Sequence, residues 1–174
     1  ERARHEYERS LSDARTRAQY VFNEAVLAQK SRMESAAKAM DVVMGVPSDA
    51  LTPTGDKMRR LMHYGQVFQS HVLHFFHLAS PDLLFGFDAP VEMRNVIGVI
   101  AHHPDLAVQG VMMRKFGQEI VKATAGKKVH GTGAIPGGIN KNLSLAERDA
   151  LLADLATMLE WSRKAVAIAR EYTL

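Results

Sequence analysis

The six prolines fall at 47, 53, 81, 90, 104 and 136, and neither proline nor glycine occurs before Gly45. This spacing constrains the fold more than any other feature, because proline ends a helix and the stretches between these breaks have helical length. In the first stretch Tyr7, Leu11, Ala14, Ala18, Val21, Ala25 and Ala28 alternate four and three apart, the seam of a packed helix. The seam shifts phase through Met33, Met40 and Val43 or Met44, so the spacing predicts one helix of about 40 residues, roughly 60 Å long. Its other face carries Arg and Glu of mixed sign, a solvated surface.

Gly45, Pro47 and Pro53 make a linker, and Thr54 or Asp56 is expected to cap a second helix running to about Ala79, where Ser80-Pro81-Asp82 stops it. The connection 81–103 is expected to hold a short helix near Val91–Ala101. Pro104 and Asp105 suit a first turn, so a third helix is expected from there to about Thr124. Gly110 and Gly117 lie seven apart on it, a costly choice that points to another backbone passing close by. Residues 125–141, AGKKVHGTGAIPGGINK, carry five glycines and a proline and read as a long loop without regular structure. Ser144 and Glu147 form a capping box that opens a fourth helix ending near Tyr172. On it Leu151, Leu152, Leu155, Met158 and Leu159 share one face, which Trp161 and Ile168 widen. No stretch alternates as a strand does. The expected fold is all-α: an elongated four-helix bundle forming a single helical domain, 1–174, with a short extra helix in 81–103 and a Gly-rich loop at 125–143.

Composition narrows the chemistry. The 174 residues contain no cysteine, which removes disulfides, thiolate nucleophiles, iron-sulfur clusters and thiolate metal sites. The net charge is +3, with basic and acidic residues interleaved, so no nucleic-acid surface is expected. No run is long and apolar enough for a membrane span, and the charged N-terminal residues do not resemble a signal peptide; a cytoplasmic setting without membrane association is expected.

On a helical wheel His63, His71, His74 and His77 share an arc opposite Leu61, Phe68, Val72, Phe75 and Phe76. Packed, hydrogen-bonded histidines explain this arc, as does a metal shell completed by His102, His103 or His130, although the Glu-x-x-His spacing of di-iron bundles is absent. The Gly-rich loop, with Lys127 and Lys128, offers an anion nest, but no strand precedes it and no Gly-Lys-Ser or Gly-Lys-Thr ends it.

Four segments carry a resemblance: SAAKAMDVVMGV at 35–46, KMRRLMHYGQVFQSHVLHFFHLASPDLL at 57–84, HPDLAVQGVMMRKFGQEIVKAT at 103–124 and AGKKVHGTGAIPGGINK at 125–141. Together they resemble the large, catalytic subunit of nickel-iron hydrogenases of the cytoplasmic NAD-reducing, bidirectional type, over residues 35–172. The resemblance implies a helical bundle around a nickel-iron centre held by two Cys-x-x-Cys pairs. Extending it upstream sets Ala25 and Ala28 where the first pair of thiolates would lie, and the second pair has no counterpart. Without thiols no nickel-iron cofactor and no hydrogen activation are expected. Residues 1–34 depart from the family and have the character of a designed helix.

The leading expectation is therefore a non-catalytic, engineered helical scaffold derived from a hydrogenase core. The alternatives are a fragment or subunit of a NAD-reducing nickel-iron hydrogenase, coupling hydrogen oxidation to NAD reduction, and a protein-binding or self-associating module. The second helix is apolar around most of its circumference, so a homo-oligomer or a hydrogenase partner subunit is expected to cover it. Of the site residues, His63, His71, His74, His77 and His130 are candidates for adventitious metal or partner contact only.

Overall fold

The computed structural model describes residues 9, 13, 16, 24, 28, 35–36, 38–47 and 50–173. The chain separates into two compact units, 1–50 and 51–174. In the first unit residues 38–43 are helical. That helix closes on Gly45, whose φ of 70° allows Val46 N–H to reach Asp41 O (2.8 Å) and Gly45 N–H to reach Val42 O (3.0 Å), a Schellman cap. Most of the expected Tyr7–Ala28 seam, Ala25 included, lies outside the described residues.

The second unit begins with α1, Pro53–Leu73. Its cap is Thr52, neither Thr54 nor Asp56: the Thr52 hydroxyl accepts from Gly55 N–H at 3.1 Å, and Pro53 takes the first turn, where no donor is missed. The chain does not stop at Ser80-Pro81. It widens into a π-helical turn, His74–Ala79, and continues as α2, Ser80–Phe85, until Gly86 at φ 79° ends it. Pro81 is tolerated because the ladder has already slipped there. The Ser80 hydroxyl donates to Phe76 O at 2.7 Å, supplying a donor in the turn where Pro81 has none.

The loop after α2 is tied back by Arg94, whose Nε donates to Asp82 at 3.0 Å and whose Nη1 donates to Phe87 O at 2.8 Å. The short helix α3 is Val96–His102, later than expected, because the Asn95 carboxamide caps it by accepting from Ile97 and Gly98 N–H at 2.8 and 3.0 Å. Helix α4, Pro104–Ala125, matches its expected span and ends on Gly126 at φ 77°. The Gly-rich segment is not wholly irregular: β1, Ala134–Ile135, pairs antiparallel with β2, Gly138–Ile139, across Pro136-Gly137. Proline followed by a glycine at φ 74° is what a tight type II turn requires. Helix α5, Leu145–Thr173, starts with the expected box: Glu147 N–H donates to Ser144 Oγ (3.2 Å) and Ser144 N–H to Glu147 Oε2 (2.9 Å).

Helix α4 is central, with α1 along one side and α3 and α5 also against it. The glycines explain how closely α1 approaches. A Cβ on Gly117 would lie 2.9 Å from Gly65 O and 2.8 Å from Gln69 Cβ, and one on Gly110 would lie 2.7 Å from the Phe76 side chain. The expected close approach of another backbone is present at Gly117, whereas at Gly110 the neighbour is an aromatic side chain. Val72, Phe76, Leu106, Met113, Phe116, Ile120 and Met158 form the core, with Phe68 edge-on to Phe116 at 6.0 Å. The apolar face of α1 is thus packed largely against α4, while Tyr64 and Leu78 of the expected second helix remain 48% and 64% exposed.

Candidate functional site

The best-built polar site lies where the Gly-rich segment folds back on α1, α4 and α5. Arg59 points from α1 into the segment and is only 5% exposed. Its Nε donates to Gly138 O at 3.1 Å and its Nη2 to Ile135 O at 2.7 Å, so one planar guanidinium grips the ribbon. At the other end Lys141 Nζ donates to Ala123 O and to Glu147 Oε1, both at 2.7 Å, joining the end of α4 to the start of α5. Asn140 closes the interior of the segment, its Nδ2 donating to Thr132 O at 2.6 Å and its N–H to Gly133 O at 3.0 Å. A Cβ on Gly133 would lie 2.6 Å from Thr124 O, so the segment lies directly on α4.

This polarity is the opposite of the anion nest. Two cations hold carbonyl oxygens, whereas an anion site would gather amide hydrogens. Lys128 is paired with Glu119 at 2.6 Å, and Lys127 is exposed. The same ion pairs shift the acids: Lys141 first, then the amide and hydroxyl of Ser144, bring Glu147 down to about 2, and the Lys128 hydrogen bond lowers Glu119.

The histidines do not assemble. His71, His74 and His130 are exposed, and His63 and His77 are half-buried. The wheel fails beyond Leu73 because the π turn changes the residues per turn, so His77 leaves the arc of His63 and His71. His71 Nδ1 lies 2.8 Å from Val67 O on its own helix. His77 lines an apolar groove with Phe76, Val99, Val108 and Met112, and burial, then Arg114, lowers its pKa. Burial also lowers that of His63. His102 lies edge-on to Phe85 at 5.6 Å and His103 is tilted against it at 5.8 Å, and His130 stands on a left-handed backbone, φ 51°. Among the described residues no three of His, Asp and Glu come together as metal ligands.

The sequence reading missed Arg59, Asn140 and Lys141. For Arg59 a signal existed: it follows Met58 and precedes Met62 on a face otherwise uncharged. Asn140 and Lys141 carry no such mark.

No family model matches the chain. The chain is nonetheless related to subunits of nickel-iron hydrogenases. It is 53% identical over 119 residues to the NAD-reducing hydrogenase HoxS subunit beta of Cupriavidus necator, covering 67% of this chain and 24% of that protein. It is 41% identical over 145 residues to a subunit of the F420-non-reducing hydrogenase vhu of Methanocaldococcus jannaschii, covering 83% of this chain and 34% of that one. A crystal structure of NAD+-reducing [NiFe]-hydrogenase in the H2-reduced state matches with a TM-score of 0.74 and 56% identity over 79% of this chain and 30% of that chain. The chain thus spans between about a quarter and a third of these relatives.

A match of 145 residues is longer than everything from Ser35 to Leu174, so the similarity enters the segment read as a replacement. The relationship favours a fragment or subunit of a hydrogenase over an engineered scaffold, which nothing in the fold or the relatives supports.

A nickel-iron centre does not fit the residues present. There is no thiolate among the 174 residues, Ala28 is an exposed helical position, and among the described residues no three of His, Asp and Glu come together. No helix among the described residues is long and apolar enough to cross a membrane.

Proposed function

We propose that this chain is a portion of the large, catalytic subunit of a NAD-reducing nickel-iron hydrogenase, and that it supplies helical scaffold to that subunit. The observation that carries the reading is the 56% identity at a TM-score of 0.74 with the NAD+-reducing enzyme. On this reading hydrogen oxidation coupled to NAD reduction belongs to an assembly containing hydrogenase partner subunits, in the cytoplasm, and the metal centre is held by residues that this sequence does not contain. The contribution of the chain is mechanical: Arg59, Asn140 and Lys141 lock the Gly-rich segment across the ends of three helices, and a rigid framework is what a site of fixed geometry needs around it. For the chain as a whole the proposed fold class is all-α, a four-helix bundle in which the ribbon is a local clasp.

A chimera tests this. Residues 51–173 replace the matching part of the Cupriavidus necator subunit beta, which keeps its own remaining sequence. Hydrogen-dependent NAD reduction is expected to survive the exchange and to fall when Arg59→Ala is added. A chimera that assembles with its partner subunits but has lost activity overturns the reading.

A further inference from the structure

Among the described residues His77 is the one titratable side chain in the wall of the groove between the π turn, α3 and α4. The rest of the wall is apolar, Phe76, Val99, Ile100, Val108 and Met112 among it, and holds no carboxylate. The direction of His77 is imposed by its neighbours in the turn. Pro81 offers no N–H to the helical ladder, the Ser80 hydroxyl takes up Phe76 O instead, and Phe76 is seated where Gly110 leaves room for it. His77, the next residue, is thereby set towards α3 and α4 and off the arc of His63 and His71.

A neutral imidazole suits this wall, and an imidazolium does not. The charge that acts on it comes from Arg114 of α4, half-buried and of the same sign, and the Leu73 carbonyl of its own helix offers the only offset. From α3 no titratable side chain lines the groove, since His102 and His103 lie against Phe85. We propose that protonation of His77 loosens α3 from α4, a pH-sensitive joint built into this unit. Burial, then Arg114, lowers the His77 pKa from its ordinary 6.5. A chain in which α3 has lifted and the groove is hydrated therefore takes the proton first. Closure is fully favoured above pH 6.5 and weakens as pH falls from 6.5 through the depressed value. Little else resists opening, because α3 has seven residues and buries only Gly98 and Val99. The groove, about 400 Å³, has room for water to follow the charge. These contacts lie within residues 51–173, so the inference does not rest on the hydrogenase reading.

Hydrogen exchange of the 174-residue chain, read by NMR and corrected for the intrinsic pH dependence of amides, tests it from about pH 8 to about pH 5. Protection of the Val99–His103 amides is expected to fall several-fold towards the acid end. His77→Gln, neutral throughout, is expected to abolish the fall, whereas His63→Gln, which removes the other histidine lowered by burial, should keep it. Val108→Glu supplies the missing counter-charge across the groove and is also expected to abolish the fall. A wild type with pH-independent protection in α3 overturns the proposal, as does a fall that persists in His77→Gln. An equal fall at Met113–Thr124 would report global unfolding and overturn the joint. Full retention of the fall in Val108→Glu overturns the electrostatic cause.

Discussion

Arg59 is a cation removed from solvent whose hydrogen bonds reach main-chain carbonyls 76 and 79 residues along the chain. Hydrogen bonds from charged groups contribute about 1.5–3 kcal/mol each, and the freed carbonyls would be left part-buried. Arg59→Ala is therefore expected to lower stability by about 2–4 kcal/mol, read from the urea midpoint, and to speed hydrogen exchange at residues 134–139. Arg59→Lys keeps the charge but loses the planar fork, so it should recover only part of the loss. Glu147 gives the complementary acid test. Its folded pKa of about 2 lies below the ordinary 4.5, so the unfolded chain binds the proton first. The stabilisation is complete above pH 4.5 and is lost as pH falls through about 2. An NMR titration of the Glu147 carboxyl should show the depressed value, and Lys141→Met should return most of it toward 4.5, since Lys141 is its largest cause.

At the scale of elements, what could be read in advance depended on whether the signal was local. Ser144 with Glu147, and Pro104 with Asp105, act within one turn of their own helix, and both helices lie close to their expected spans. The π turn at His74–Ala79 was not legible, because the 3.6-residue period assumed for the wheel is the property that changes there. The face of α5 was misplaced for a related reason: with apolar residues on two sides, periodicity shows the stripes but not which one meets α4. Glycines lie between these cases. The seven-residue spacing of Gly110 and Gly117 announced a close contact, while its partners Phe76, Gly65 and Gln69 required the fold. Gly117→Ala gains about 1 kcal/mol in helix propensity but drives a methyl against the Gly65 carbonyl and the Gln69 backbone, which cannot move as a side-chain tip would. A net loss of about 1–3 kcal/mol is expected in thermal or urea unfolding, whereas Gly126→Ala, at φ 77° and with open space around it, should register backbone strain alone.

For the second unit as a whole, α4 is the element that the others share. It meets α1 through Gly117 and Ile120, the π turn through Gly110 and Phe76, and the Gly-rich segment through Thr124 and Ala125, and it packs against α3 and α5 besides. Ten of its residues are buried, more than in any other helix of this unit, so opening α4 requires separating most of the core at once. The architecture around a central helix rests on a seam at Leu106, Gly110, Met113, Gly117, Ile120 and Thr124, of which the sequence marked Gly110 and Gly117. The clasp that closes it was not marked, since its bonds join residues far apart in the chain. Native-state hydrogen exchange should place the slowest amides of residues 51–173 between Met113 and Thr124, exchanging with the free energy of global unfolding, and those of α3 among the faster helical ones. Met113, 2% exposed, is the matching substitution: Met113→Ala removes core volume with packed neighbours on several sides and should cost about 2–5 kcal/mol. That loss should accelerate exchange in α1, α4 and α5 together. If it accelerates α4 alone, the three helices open separately, and α4 is not the element on which the unit's cooperativity depends.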